Sequence, residues 1–203
     1  MTQKQQWDEH YEAGFKPWDT GFHDSNLERV LIEHFVPPGR ALEIGCGTGT
    51  NAIWLSDRGF KVTAVDVANL AIQAARRKNG KTRNPRFYVL DVLSTKKIVG
   101  SPFDFVFDRG CFHSFAEVPD RHIFAKRVHK LLAKNGLWCS LIGSMDGPER
   151  EIGPPRRSLR EVIEVIEPHF EILEIRSSHF DSEQDDPPRC WVGVFRKRSQ
   201  ITA

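Results

Sequence analysis

The chain has 203 residues, a length that fits one domain. Its 29 basic and 27 acidic residues give a formal net charge of +2, so it lacks the basic excess that is typical of nucleic-acid or anionic-membrane binding. Hydrophobic residues make up 39% and charged residues 28%, a balance that indicates a globular protein and not a disordered one.

Helix and strand signals alternate from residue 25 onward. A capping box at 25–28 opens the first predicted helix, which ends at Pro37 and Pro38, and a second capping box at 158–161 opens the last helix, to about Glu167. The other predicted helices cover 50–57, 68–78 and 120–134. The predicted strands cover 41–45, 61–66, 86–91, 103–108, 137–142, 170–177 and 189–196.

This order predicts a Rossmann-like, doubly wound α/β fold with a mostly parallel sheet of seven strands and helices on both faces. The segment 181–188, between the last two strands, is acidic, contains prolines and shows no helical pattern. Such a connection suits a hairpin, so we expect the last strand to run antiparallel to the rest. No linker divides the chain, and one domain is therefore expected over residues 1–203.

The four cysteines are scattered and form no C-x-x-C pair. This pattern disfavours a disulfide framework or a metal site and favours reduced thiols. No apolar run approaches the roughly 20 residues of a membrane span, and the polar N-terminus resembles no secretory signal. We therefore expect a cytoplasmic protein, monomeric or homodimeric, without metal, membrane or nucleic-acid partners. The cysteines are Cys46, Cys111, Cys139 and Cys190.

The most specific motif runs from Glu43 to Gly49, between the first predicted strand of the sheet and the helix that follows. Its three glycines allow the backbone to approach a ligand closely, and ligands of such sheets bind at the carboxyl ends of the strands. The spacing G-x-G-x-G lacks the third glycine of the dinucleotide fingerprint. Glu43 would also repel a pyrophosphate and suits a cationic aminoacyl group instead, which disfavours the rival interpretation, an NAD-type dehydrogenase.

Two further acidic residues end the next two strands. Asp66 closes the second strand, where a carboxylate accepts both hydroxyls of a ribose. Asp91 closes the third strand, where it is placed to accept the exocyclic amine of adenine. Three loops in chain order thus offer acids for the three parts of an aminoacyl nucleoside, although each acid could instead be a solvated loop residue.

This combination resembles the class I S-adenosylmethionine (SAM)-dependent methyltransferases. The likeness rests on ALEIGCGTG, KVTAVD, RFYVLD and FDFVFDRG, in this order and at this spacing. It implies that SAM is the cofactor and S-adenosylhomocysteine the product. The cofactor-binding residues that follow from it are Trp18, Glu43, Gly45, Cys46, Gly47, Gly49, Asp66, Val67, Asp91, Val92 and Asp108.

Two more segments are similar to the thiopurine S-methyltransferase and thiol methyltransferase superfamily. They are WDEHY at 7–11 with PWDTG at 17–21, and DRGCFH at 108–113; the likeness covers nearly the whole chain. It implies that segment 1–24 closes the pocket over the cofactor and that Arg109 lies beside an acceptor sulfur. The implied activity is methyl transfer to a small-molecule thiol or other soft nucleophile. An O- or N-methyltransferase and a non-catalytic SAM-binding domain stay open, whereas DRGC replaces the Asn/Asp-Pro-Pro step of base-amino methyltransferases.

The candidate catalytic residues are Arg109, Asp19 and His113. Methyl transfer depends mainly on alignment, and a nearby guanidinium favours a thiolate, so a strong general base is optional for a thiol. The structural alternatives are a salt bridge from Arg109 to Asp108 or Asp19, a turn cap for Asp19, and a hydrogen-bonded structural role for His113.

Two loops are expected to overhang the pocket, at 144–157 and 181–188. The first contains Arg156 and Arg157, and the second is acidic. Either arginine is a candidate for binding an anionic group of the acceptor. The alternative, an arginine–acid pair that links the two loops, is equally consistent with the sequence.

Overall fold

The computed structural model describes residues 3–95, 97–151 and 153–199. The strands are β1 Arg40–Ile44, β2 Lys61–Asp66, β3 Arg86–Val89, β4 Phe103–Arg109, β5 Leu132–Gly143, β6 Phe170–His179 and β7 Arg189–Lys197. The helices are α1 Gln3–Glu12, α2 Ser25–Glu33, α3 Thr50–Asp57, α4 Asn69–Asn79, α5 Cys111–Ser114, α6 Val118–Leu131 and α7 Leu159–Ile166.

The seven strands form one sheet in the order β3-β2-β1-β4-β5-β7-β6. The pairs β1–β2, β1–β4, β2–β3 and β4–β5 are parallel, whereas β7 lies antiparallel between β5 and β6. The predicted Rossmann-like sheet with an antiparallel last strand is therefore confirmed. This topology brings the carboxyl ends of β1 to β4 to one edge, where the loops after them meet.

Both faces of the sheet are buried because alternate strand residues point to opposite sides. On β5, Trp138 and Ile142 join one apolar cluster, whereas Cys139 and Leu141 join the other. The first cluster is completed by residues of α5, α6 and α7, and the second by residues of α2, α3 and α4. Helices thus cover both faces, as predicted.

Four local differences separate the predicted from the observed elements. The helix α1 and the short α5 were not predicted, and β3 ends at Val89, two residues before Asp91. The predicted helix end at 132–134 is wrong, because β5 already begins at Leu132, which pairs with Phe103. The pairing register with β4 then shifts, and Asn135 has a left-handed backbone (φ 63°). Because these irregularities interrupt the strand, the sequence does not show where it begins.

Within the described part of the chain, no helix combines the length and apolar character needed to span a membrane.

Candidate active site

A cavity of about 490 Å³ opens where the loops after β1 to β4 meet. The N-terminal segment between Gln6 and Asp24 forms one wall, and residues of the loops at 151–155 and 180–188 form another. The two predicted overhanging loops therefore both reach the pocket. So does the predicted covering segment 1–24, of which residues 1 and 2 lie outside the described residues.

The glycine motif makes the tight turn that the sequence predicts. Gly45 has φ +68°, and a Cβ on it would lie 2.9 Å from Cβ of Cys111. Gly49 has φ +81°, and a Cβ there would lie 2.7 Å from the ring of Phe87. Only glycine fits both the left-handed backbone and these close contacts. The turn brings Gly45, Cys46 and Gly47 into the wall of the cavity; Gly49 lies just behind it.

Glu43 lies beneath this turn and is 1% exposed. Its Oε1 accepts a hydrogen bond from the Asn51 amide at 3.3 Å, whereas its buried Oε2 has no partner among the described residues. Burial raises the pKa of the Glu43 carboxyl to about 8, and the nearby Asp66 acts in the same direction. A buried acceptor without a donor, in the wall of a cavity, fits the ammonium group of an aminoacyl ligand.

The acids that end the next strands also line the cavity. Asp66 accepts backbone hydrogen bonds from Gly47 at 2.8 Å and Ala68 at 2.9 Å, and burial raises the pKa of its carboxyl. Asp91 is exposed and accepts from the backbone of Leu93 at 2.8 Å. Val67 and Val92 lie in the same wall. The structure thus brings these predicted cofactor-binding residues together.

Trp18 forms the centre of an aromatic cluster from the N-terminal segment. Its ring contacts those of Trp7, His10, Tyr11 and Phe15, with centroids 5.3 to 6.2 Å apart. All five side chains line the cavity. Burial raises the pKa of the Tyr11 phenol well above its usual value. The cluster covers the glycine turn with an apolar surface.

Asp19 connects this segment to the glycine turn. The Thr48 hydroxyl donates to Oδ2 of Asp19 at 2.9 Å, and the Lys16 ammonium lies 3.7 Å from the same oxygen. Asp19 lines the cavity, but its contacts are those of a residue that fixes a loop.

Arg109 lies in the cavity wall and joins three segments. Its Nε donates to the Asp24 carboxylate at 2.6 Å, its Nη1 to the carbonyl of Trp18 at 3.2 Å and its Nη2 to the carbonyl of Asp181 at 2.6 Å. The guanidinium also stacks over the Phe180 ring at 5.0 Å. The ion-pair partner is therefore Asp24, and the expected alternatives, Asp108 and Asp19, are wrong.

Asp108 does not line the cavity. Its carboxylate is fully buried and accepts hydrogen bonds from the Phe112 backbone at 2.9 Å and the Trp138 indole at 2.8 Å. Burial raises the pKa of Asp108 to about 6. These contacts fix the start of α5 against the core, so the structure does not bring Asp108 together with the other predicted cofactor ligands.

His113 lines the cavity but is not arranged as a base. Its Nδ1 accepts the backbone hydrogen bond of Gly143 at 2.7 Å, so the neutral ring carries its proton on Nε2. Burial, with the charges of Arg157 and Arg109, lowers the pKa of His113 to about 3. This geometry supports the structural alternative, because no ring nitrogen is left to accept a proton from an acceptor molecule.

The two arginines of the first overhanging loop have different surroundings. Arg157 donates to the carbonyls of His113 at 2.8 Å and Phe115 at 3.0 Å, and neither it nor Arg156 lines the main cavity. The predicted link between the loops does exist, but it is formed by Arg150 and Asp186.

The lining residues that the sequence did not indicate include Asp24, Asn51 and Phe180. Asp24 was the easiest of them to predict, because an aspartate just before a helix is a common N-cap. The capping box predicted at 25–28 is wrong, since the observed N-cap of α2 is Asp24 and not Ser25. Asp24 and Arg109 are 85 positions apart, so no local sequence pattern indicates their contact.

Comparisons with known proteins agree with this geometry. Residues 2–201 match the family model described as thiopurine S-methyltransferase. A probable thiol methyltransferase of Arabidopsis thaliana is 31% identical over 174 residues, which cover 83% of this chain and 75% of the relative. Thiocyanate methyltransferase 1 of Brassica oleracea is 25% identical over 73% of this chain and 65% of its own length.

Solved structures show the same fold at lower identity. The 1,6-didemethyltoxoflavin-N1-methyltransferase of Burkholderia thailandensis, solved with 1,6-didemethyltoxoflavin and S-adenosylhomocysteine, has a TM-score of 0.77 at 21% identity and covers 97% of this chain and 87% of its own. A SAM-dependent methyltransferase from Anabaena variabilis has a TM-score of 0.78 at 19% identity, with 98% and 96% covered.

Proposed function

Since the chain belongs to the thiopurine S-methyltransferase family of SAM-dependent methyltransferases, we propose that it methylates a small-molecule thiol or another soft nucleophile. The observation that carries this proposal is the wall of the cavity around Arg109. It combines a guanidinium with aromatic side chains, and the candidate bases beside it, Asp24, Asp19 and His113, are all engaged in hydrogen bonds.

The residues present fit the cofactor. The orphaned Oε2 of Glu43 suits the ammonium of SAM, the turn at 45–49 leaves room for close approach, and the carboxylates of Asp66 and Asp91 suit ribose and adenine. When bound, SAM supplies an electrophilic methyl group. The protein's own task is then to hold the acceptor in line and to exclude water.

Arg109 is the group that can act on the acceptor atom. A guanidinium has five N–H donors, and three of them are used by Asp24, Trp18 and Asp181. Two donors remain for a ligand in the cavity, where a positive charge lowers the pKa of a thiol and favours the nucleophilic thiolate. The aromatic rings of Trp18 and Phe180 would enclose the apolar part of such an acceptor.

The engagement of the candidate bases around Arg109 favours a thiol over an amine or a phenol. Asp24 is engaged by Arg109, Asp19 by Thr48, and the only acceptor nitrogen of His113 by Gly143. An acceptor whose pKa is near 8.5, as for an ordinary thiol, ionises without a strong base. The thiol and thiocyanate methyltransferases among the relatives support the same acceptor class.

The test is a methylation screen with labelled SAM over thiols, phenols and amines, run on the wild type and on Arg109→Gln. We expect thiols to be preferred. Arg109→Gln should lower kcat for a thiol by about tenfold near neutral pH, which corresponds to one pKa unit of lost stabilisation of the bound thiolate. The loss in kcat should shrink above the pKa of the thiol bound to the variant, where the acceptor ionises unaided.

Arg109→Lys, which keeps a positive charge beside Asp24, is a second variant in case Arg109→Gln does not fold. Thermal unfolding of both variants would detect such a folding defect. Arg77→Lys, at an exposed position of α4, is the matched control. Preferred methylation of amines or phenols would overturn the proposal. So would a loss of kcat in Arg109→Gln that is the same at every pH.

A further inference from the structure

A second, smaller cavity of about 30 Å³ adjoins the main one. Gly153, Pro154 and Pro188 line both cavities. Among the described residues, the lining of the small cavity includes three arginines and no acidic residue. These arginines are Arg150 and Arg156 of the first overhanging loop and Arg189 at the start of β7.

Arg189 has only uncharged hydrogen-bond partners among the described residues. Its Nη1 donates to the carbonyl of Asp146 at 3.2 Å and its Nη2 to the hydroxyl of Ser177 at 3.0 Å. Its Nε is buried and has no acceptor within the described ranges. A buried donor without an acceptor is unfavourable, and an anion would satisfy it.

The charge of Arg156 is also weakly compensated. Its Nη1 donates to the carbonyl of Gly147 at 2.8 Å, and the nearest carboxylate, that of Glu149, lies 3.8 Å away and is 90% exposed. An ion pair that is so exposed contributes little, because water screens it. Only Arg150 has a close carboxylate partner, Asp186. Two guanidinium groups therefore face a small cavity with room for an anionic ligand group.

We propose that this cavity is an anion subsite for the acceptor. The inference rests on the proposed function. The acceptor carries a carboxylate or a similar acid group at the end remote from the reacting sulfur, and Arg156 and Arg189 bind that group. A volume of about 30 Å³ matches the share of one water molecule in the liquid, so the cavity has room for one oxygen of such a group. The remainder of the acceptor occupies the main cavity, across the shared wall of Gly153 and Pro188.

The subsite refines the expectation for the loop arginines. Arg157 is bound to the carbonyls of His113 and Phe115, whereas Arg156 faces the small cavity. Arg189 lies in a different segment, and no pattern in the sequence indicated that it could bind a ligand.

A series of thiol substrates of increasing chain length tests the proposal. The probes are ω-mercaptoalkanoates of increasing chain length, from mercaptoacetate upward, each paired with the ω-mercaptoalkanol of equal length. In the wild type, KM for the acids should pass through a minimum at the chain length that joins the two cavities. KM for the alcohols should show no such minimum.

The variants Arg156→Gln and Arg189→Gln should raise KM for the best acid by about tenfold each, the effect of one lost charge-assisted hydrogen bond. KM for the paired alcohol and kcat for both should stay unchanged. Arg160→Gln, which removes a charge from an exposed position of α7, is the matched control and should leave the acid preference intact.

A measurement without cofactor separates the possible failures. The best mercaptoalkanoate should raise the unfolding temperature of the cofactor-free wild type and raise it less in Arg156→Gln. If no thiol is methylated, the proposed function fails. If thiols are methylated but acids have no advantage over alcohols, the subsite is overturned. The same holds if inorganic sulfate raises the unfolding temperature of the wild type more than that of Arg156→Gln while the mercaptoalkanoate does not, because the cavity then binds free anions and not the acceptor.

Discussion

The carboxyl of Glu43 shows how one residue prepares the site for a cationic ligand. It is buried, half satisfied by Asn51 and close to the carboxylate of Asp66. Because water is excluded and a like charge is near, the carboxyl prefers to be protonated, and its pKa rises to about 8. An ammonium beside Oε2 would reverse this preference, since it supplies the missing positive charge.

This raised pKa predicts a pH-dependent stability for the cofactor-free protein. An acid whose pKa is higher in the folded than in the unfolded chain binds more protons when folded. Its contribution to stability is therefore lost as the pH rises from the ordinary value of 4.5 towards about 8. The glutamine of Glu43→Gln cannot ionise. The difference in unfolding temperature, variant minus wild type, should therefore increase across this window and stay constant above it.

Thermal unfolding between about pH 5 and pH 9 measures this difference. The pKa shifts of Asp66, Asp108 and His113 are present in both proteins and should largely cancel. Glu164→Gln, at an exposed position of α7, is the control and should show no such trend. A difference between Glu43→Gln and the wild type that does not change with pH would contradict the prediction.

Residue type and position in the chain were enough to predict part of the site. Glu43, Asp66 and Asp91 lie within two residues of a strand's carboxyl end, and parallel strands bring these ends to one edge. The surroundings of Arg109 were not predictable in this way. Asp24 and Asp181 lie 85 and 72 positions from it, and only the folded chain brings them together.

At the scale of elements, the N-terminal segment is held over the cavity by a few polar contacts. The hydroxyl of Thr48 binds Asp19, the guanidinium of Arg109 binds the carbonyl of Trp18, and the Leu70 backbone donates to Asp8 at 3.4 Å. Each contact joins the segment to a different part of the chain. The segment should therefore open locally without unfolding of the sheet.

Thr48→Val tests this attachment, because it removes the hydroxyl and keeps the shape. Losing one hydrogen bond of about 1 kcal/mol should speed amide hydrogen exchange in residues 5–20 by roughly fivefold. The sheet strands should exchange as in the wild type. Thr95→Val, outside the cavity wall, is the control. Equal protection of residues 5–20 in Thr48→Val and the wild type would show that the hydroxyl does not hold the segment.

The elements were predictable where local signals are strong. The capping box at Ser158 opens α7 as expected, and the short apolar strands all exist. The helix α1 was missed because its residues pack against Trp18 and do not form a regular apolar stripe of their own. The start of β5 was missed because the chain continues from α6 into the strand without a break in composition.

At the scale of the whole molecule, distant parts of the chain meet over one cavity. Asp181 contributes its carbonyl to Arg109 and its carboxylate to the backbone and hydroxyl of Ser25, at 2.6 and 2.9 Å. The N-terminal segment and the β6–β7 loop are thereby joined across the edge of the sheet. A ligand that fills the cavity should stabilise all of these parts together.

This coupling predicts a large thermal shift with S-adenosylhomocysteine. A ligand at about 100 times its Kd adds about 2.7 kcal/mol to the free energy of unfolding. For a domain of this size, each kcal/mol raises the unfolding temperature by about 2–4 °C, so a rise of roughly 5–10 °C is expected. Differential scanning fluorimetry over a concentration series of the ligand measures it.

Asp66→Asn ties this shift to the predicted crevice, because it removes the charge that should accept the ribose hydroxyls. If the Kd weakens about tenfold, the same ligand concentration supplies only about half the stabilisation, and the thermal shift should fall by about half. Asp57→Asn, at an exposed position of α3, should keep the full shift. A full shift in Asp66→Asn would place the nucleoside elsewhere, and no shift in the wild type would remove the basis for every role assigned to the cavity.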